Sequence, residues 1–172
     1  MARIDETKEF IPVRIAVLTV SDTRTLAEDK SGDTLVERLT EAGHKLAARA
    51  LVPDDRATIA ARLRQWIADP AIDVILSTGG TGLTGRDVTV EAHRDVYEKE
   101  IEAFATIFTI VSMQKIGTSA VQSRATGGLR GANTCLPCPD PQALAVMRGM
   151  KFSKRSSTTA TAPATSLKSC PD

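Results

Sequence analysis

The chain reads as an α/β protein, a three-layer αβα domain with a mainly parallel central sheet. Three observations predict that fold. Apolar, β-rich runs alternate with amphipathic stretches in the order β-α-β-α-β over residues 14–77, the pattern of a parallel sheet covered by helices on both faces. The first and third runs are nearly continuous in apolar and β-branched residues rather than alternating, as strands buried on both faces are. Each run ends in an acidic or glycine-rich turn, at the carboxyl end where open α/β sheets place their ligands.

Residues 1–12 read as a mobile N-terminal arm. The run RIAVLTVS, residues 14–21, is the first and central strand. It delivers Ser21, Asp22, Thr23 and Arg24 to its carboxyl end. A helix starts near Ser31, with Leu35, Val36, Leu39 and Ala42 on one face and Gly43 where a helix C-cap belongs. Residues 45–52 give the second strand, ending in Pro53-Asp54-Asp55. Ile59, Leu63, Trp66 and Ile67 then mark an amphipathic helix that Pro70 ends before the third strand at residues 73–77. Thr89 is placed to cap a short helix with Val90 in its first turn. Ile101, Phe104, Ile107, Phe108 and Val111 form the most periodic stretch and predict a helix over residues 99–113. The domain so built covers residues 13–130.

Composition narrows the function classes. With 172 residues the chain is one domain with a substantial core. A formal net charge of +1 gives no electrostatic footprint for nucleic acid, and 3% aromatic residues give no base-stacking platform. No apolar run is long enough to cross a bilayer, and the charged start MARIDETKEF is unlike a signal peptide. The three cysteines all lie at or beyond Cys135. That is no disulfide framework, so the cytoplasm is the expected compartment.

The chemistry centres on residues 73–92, DVILSTGGTGLTGRDVTVEA. A short buried strand runs into Thr78, Gly79, Gly80, Thr81 and Gly82. Glycines let main-chain N–H groups approach and converge on one anion, which suits phosphate. Asp87 follows, where a carboxylate can share a metal ion with those phosphates. Asp22 and Asp54 (or Asp55) lie at the ends of the other two strands. One loop acid is ordinarily a solvated group or a helix cap. Acids recurring at successive strand ends beside a glycine loop predict a shared site. His44 and His93 lack metal-ligand spacing and read as surface or capping residues.

In order along the chain, SDTR, VPDD, TGGTG, RDVT and IGTSAVQSR resemble the motifs of the MoaB and MogA proteins of molybdenum cofactor biosynthesis, over about residues 12–128. The resemblance implies a molybdopterin-binding, MogA-like fold and the adenylylation of molybdopterin by Mg-ATP. It implies Asp54 and Asp87 as catalytic carboxylates and magnesium ligands. Ser21, Asp22, Thr78, Gly79, Gly80, Thr81 and Gly82 would bind nucleotide or substrate. It places Ser119 and Ser123 beside the pterin, and Arg124 is suited to pair bidentately with phosphate. It implies a homo-oligomer, trimer or hexamer, and working contacts with other enzymes of the same biosynthesis. Its motifs are shared by catalytic and binding members, so a non-catalytic molybdopterin- or nucleotide-binding MoaB-type paralogue is the alternative.

From about Leu129 the chain departs from that family, which continues with a buried strand, Tyr-Leu-Phe-Ala-Leu-Pro-Gly-Ser, and a closing helix. Residues 131–172 are rich in Ser, Thr, Ala and Pro, and Cys135-Leu-Pro-Cys138 lacks the second pair of a zinc site. A one-base shift of reading frame accounts for the departure. When each new codon takes the third base of one residue and the first two of the next, Asn133 onward permits the family ending step by step through Lys154. Met147 and Met150, with single codons, both permit the required Asp. The tail therefore reads as a shifted-frame ending with its slip near residues 128–132, irregular over 131–172, with no internal strand at residues 134–139 because proline removes ladder donors.

Overall fold

The computed structural model describes residues 10–131 and 133–137. β1 (Arg14–Val20), β2 (Lys45–Val52) and β3 (Val74–Thr78) lie where the apolar runs place them. Three further strands, β4 (Lys99–Glu100), β5 (Gly128–Arg130) and β6 (Asn133–Pro137), complete one sheet in the order β2-β1-β3-β6-β5-β4. β2, β1, β3 and β6 pair in parallel, and β4 and β5 add an antiparallel edge. The three-layer α/β fold with a mainly parallel sheet is the one the sequence predicts.

The near-continuous apolar strands have a simple cause. Along β1, Ile15 and Val17 enter one core while Ala16, Leu18 and Val20 enter the other. β3 divides likewise, Val74 and Leu76 to the first and Ile75 to the second. Successive side chains point to opposite faces, so a strand covered on both must be apolar at every step. The first core is closed by α1 (Lys30–Glu41) through Leu35 and Leu39, and by α4 (Glu102–Ile116) through Phe104 and Phe108. The second is closed by α2 (Arg56–Ala68) through Ile59, Leu63 and Trp66, and by α3 (Thr89–Arg94) through Ala92.

Helix ends follow local chemistry. Asp29 caps α1, accepting from the Gly32 N–H at 2.9 Å, and Asp55 caps α2 through the Thr58 N–H at 2.7 Å. Asp29 is fully buried and also accepts from Thr19 Oγ1 (2.7 Å) and Arg49 Nη2 (2.8 Å), which ties the start of α1 to both β1 and β2. At the opposite edge Arg14 donates from Nε and Nη2 to the two oxygens of Asp73, at 2.9 and 2.6 Å, joining β1 to β3.

Four expectations need correction. The last helix starts at Glu102 rather than residue 99, because Lys99 and Glu100 pair with β5 as β4. Val88, not Thr89, is the N-cap of α3, since the Thr89 hydroxyl is committed to the carbonyl of Gly79. His93 is not at the surface. It is fully buried on the inner side of α3, where its ring nitrogens meet Ser77 Oγ (3.0 Å) and the Thr89 carbonyl (2.8 Å). Finally, irregular structure does not begin at residue 131, because Asn133–Pro137 is an internal strand between β3 and β5. Backbone hydrogen bonding fills that slot whatever the side chains are. Its one proline sits at the strand's last residue, where a missing donor costs least.

The rest of the expected tail, residues 138–172, lies outside the described residues. So does most of the expected N-terminal arm, though Phe10 packs its ring on His44 with centroids 5.2 Å apart. No helix among the described residues is long and apolar enough to cross a membrane.

Candidate functional site

β1 lies between β2 and β3, so the chain leaves β1 toward one side of the sheet and leaves β3 toward the other. The carboxyl ends of these two strands flank a topological switch point, the crevice where doubly wound sheets bind ligands. Three segments meet there: Ser21 to Arg24 after β1, Asp54 after β2, and the glycine loop after β3.

The loop's shape requires glycine at its first two positions. Gly79 has φ +92° and Gly80 φ +59°, and a Cβ at Gly79 would overlap the Val20 carbonyl oxygen. At Gly80 it would overlap Thr89 Oγ1 and stand 2.7 Å from Asp54 Oδ1. Four successive carbonyls are held by partners behind the loop. Gly79 O accepts from Thr89 Oγ1 at 2.8 Å, and Gly80 O from the Thr89 N–H at 3.0 Å. Thr81 O accepts from the Arg124 N–H at 2.9 Å, and Gly82 O from Arg124 Nε at 2.8 Å. In a planar trans peptide the N–H points opposite to the C=O. The amides of Gly80 and Thr81 are therefore turned away from Thr89, while the Gly82 N–H bonds to Asp87.

The acids gather around this loop. Asp22 Oδ1 accepts from the Asp54 N–H at 3.0 Å, and Asp22 Oδ2 pairs with Arg86, whose side chain is 78% exposed. Asp54 Oδ1 accepts weakly from the Val88 N–H at 3.3 Å. Burial raises the Asp54 carboxyl above its ordinary value, and the neighbouring Asp87 and Asp22 charges raise it further. Asp87 is held below its ordinary value, first by the Thr84 hydroxyl at 2.6 Å and then by loop amides. Ser21 Oγ accepts from the Thr23 and Arg24 N–H groups, at 3.4 and 3.3 Å, and shapes the first loop.

No group of three or more His, Cys, Asp or Glu side chains among the described residues forms a metal cage. Magnesium needs less than that, because it is commonly held by one or two carboxylates plus substrate phosphates and water. Asp54 and Asp87 both lie against the glycine loop, and a cation between them would relieve the repulsion felt at Asp54. This donor set fits magnesium that arrives with phosphate.

Arg124 does not offer the free bidentate face expected of it. Besides Gly82 O, it donates to Asp87 O (2.6 Å) from Nη2 and to the Glu91 carboxylate from both terminal nitrogens. Glu91 is held below its ordinary value chiefly by this pairing. A cleft of about 310 Å³ opens here, lined by Leu83, Thr84, Asp87, Val88, Glu91 and Arg124. The sequence singled out Thr89 only as a helix cap and within RDVT, and it did not mark Glu91. Nothing in the local pattern marks the bond from Thr89 to Gly79 O or the pairing of Glu91 with Arg124, since both form only when α3 packs behind the loop. Ser123 adjoins Arg124 and is half-buried, whereas Ser119 is exposed in the 3₁₀ turn Gly117–Gln122, apart from the contacts that define the rim.

A mainly parallel sheet with a glycine-rich loop and carboxylates at its switch point has the arrangement of ligand-binding α/β domains, and comparison with known proteins gives its family. Residues 16–153 match the family described as "Probable molybdopterin binding domain". The chain belongs to that family, among the molybdenum cofactor biosynthesis proteins of MoaB type. It is 42% identical over 131 residues to molybdenum cofactor biosynthesis protein B of Escherichia coli (strain K12), covering 76% of this chain and 77% of that protein. It is 42% identical over 139 residues to the protein of the same name from Bacillus cereus, covering 79% and 82%. A crystal structure titled as molybdenum cofactor biosynthesis protein B superposes with a TM-score of 0.75 at 38% identity, over 83% of this chain and 89% of that one.

Proposed function

We propose that this protein serves molybdenum cofactor biosynthesis by transferring the adenylyl group of Mg-ATP to molybdopterin. The observation that carries the reading is the meeting of a carbonyl-free loop face, Gly80 and Thr81, with Asp54 and Asp87 at one switch point. The loop amides receive the nucleotide's phosphates, and Asp54 and Asp87 hold the metal that comes with them. Magnesium, when bound, neutralises charge on the polyphosphate. A terminal phosphate oxygen of molybdopterin bonds to the α-phosphorus while the bond from that phosphorus to the bridging oxygen breaks, releasing pyrophosphate. Alignment and charge stabilisation supply the acceleration, with no covalent enzyme intermediate. The Ser77–His93 pair resembles a nucleophile and base but is fully buried and has no access to substrate.

A homo-oligomer is part of the same proposal. α4 is apolar around most of its circumference, yet Ile107, Ile110, Met113 and Ile116 are 46–54% exposed and Val121 beyond it is 77% exposed. A helix apolar on all sides is normally covered on all sides.

Incubation with Mg-ATP and molybdopterin tests the reading. Formation of the adenylate and pyrophosphate is expected. Tight binding of both ligands without product would instead make the protein the non-catalytic paralogue.

A further inference from the structure

We infer that Thr89 and Arg124 are positioning residues that present the glycine loop to an anion as a face of N–H groups, with Arg124 spent on the loop rather than on phosphate. The inference rests on the nucleotide reading above and adds a role that the motif does not reveal. A loop of four residues carries four carbonyl dipoles as well as its amides. Any carbonyl turned toward a phosphate repels it, so glycine alone does not make an anion site. Here the carbonyls of Gly79, Gly80, Thr81 and Gly82 are all taken, two by Thr89 and two by Arg124.

Both residues use main chain and side chain together. Thr89 donates from its N–H and its hydroxyl, and Arg124 from its N–H and Nε. The rest of the Arg124 guanidinium is fixed by Asp87 O and by Glu91. Four of its five side-chain N–H donors are thereby engaged. Swinging the Arg124 side chain onto a phosphate would leave the Gly82 and Asp87 carbonyls and the Glu91 carboxylate without their partner. Arg86 faces no such obstacle, since its side chain is 78% exposed and, among the described residues, pairs with the Asp22 carboxylate alone.

The test compares Thr89→Val, Thr89→Ser, Arg124→Lys, Arg124→Gln and the unmodified full chain, titrated with Mg-ATP and with Mg-tripolyphosphate in a calorimeter at two salt concentrations. Thr89→Val removes only a hydroxyl and no charge. Arg124→Lys keeps the charge and removes the fork. The expected result is a loss of about tenfold or more in affinity for both ligands in each of these two variants, as for one hydrogen bond to a charged ligand. Thr89→Ser should restore affinity to within a few-fold, and the salt dependence of binding should stay that of the unmodified chain, because no charged contact to ligand has been removed. The two losses should not add in the double variant, since both act through one loop. Unchanged affinity in Thr89→Val, or a weakened salt dependence in the charge-removing variant Arg124→Gln, overturns the inference and leaves the nucleotide reading standing. Failure of the unmodified chain to bind either ligand overturns both.

Discussion

At the scale of single residues, Asp54 and His93 are both held away from their ordinary ionisation, with opposite consequences. The Asp54 carboxyl is raised by burial and by its acidic neighbours, so its charged form is disfavoured in the folded chain. Asp54→Asn should therefore leave Tm unchanged or higher, while adenylylation falls on the order of a hundredfold or more. Turnover at the unmodified rate would remove Asp54 from the site. Burial lowers His93 to about 4 from an ordinary value of 6.5. The folded chain keeps this ring neutral, whereas the unfolded chain protonates it first. Stability is thus fully present above the unfolded value and is lost as pH falls from about 6.5 to about 4, an effect of about 3 kcal/mol. Denaturant melts of the unmodified chain and of His93→Gln across that range should converge, with the variant showing the flatter dependence. Equal slopes would mean that His93 titrates normally in the fold.

At the scale of elements, the glycine loop, the second strand's end and α3 form one unit. Gly80→Val puts a β-branched residue at φ +59° and drives its Cβ into Thr89 Oγ1 and the Asp54 carboxylate. Strain of this kind costs on the order of 1–3 kcal/mol. Stability should fall, and nucleotide affinity should fall further, since the variant disturbs both the amide face and the carboxylate beside it. Calorimetric binding at unmodified strength would show that the loop is not the phosphate cradle.

At the scale of the whole molecule, two properties go beyond one site. The apolar outer face of α4 should bury itself against further copies of this chain. Ile110→Lys combined with Val121→Lys should shift the sedimenting species to the monomer, and a monomeric unmodified chain would dismiss the interface. The second property concerns the ending. The internal strand Asn133–Pro137 is an outcome that the shifted-frame reading excluded, so its structural half is wrong for these residues. Its codon half is a statement about the gene and is proposed on that ground alone. Restoring the frame from about residue 130 should raise both Tm and turnover, because the family ending carries the apolar run Tyr-Leu-Phe-Ala-Leu where this chain has Asn133-Thr134-Cys135-Leu136-Pro137. A source gene whose shifted frame does not encode the family ending would end the proposal.

By itself the sequence determined the doubly covered sheet and the strand ends where its candidate site gathers. Period-2 exposure to two cores makes β1 from Ile15 to Leu18 and β3 from Val74 to Leu76 continuously apolar, and a strand end, a loop and its glycines are neighbours in the chain, so their relation is local. Asp22, Asp54 and Asp87 were legible as a group for a topological reason, since parallel strands bring all their carboxyl ends to one edge. Tertiary structure alone decided which donors face which acceptors. His93 follows a polar pattern yet is buried, because α3 turns it toward Ser77. Arg124 is 42 residues from Gly82, and only packing shows that its fork closes on the loop and on Glu91. The place of β6 was decided in the same way. Hydrogen bonding to β3 and β5 is made by the main chain, which every sequence carries, so a slot in a sheet can be filled by residues whose side chains do not announce a strand.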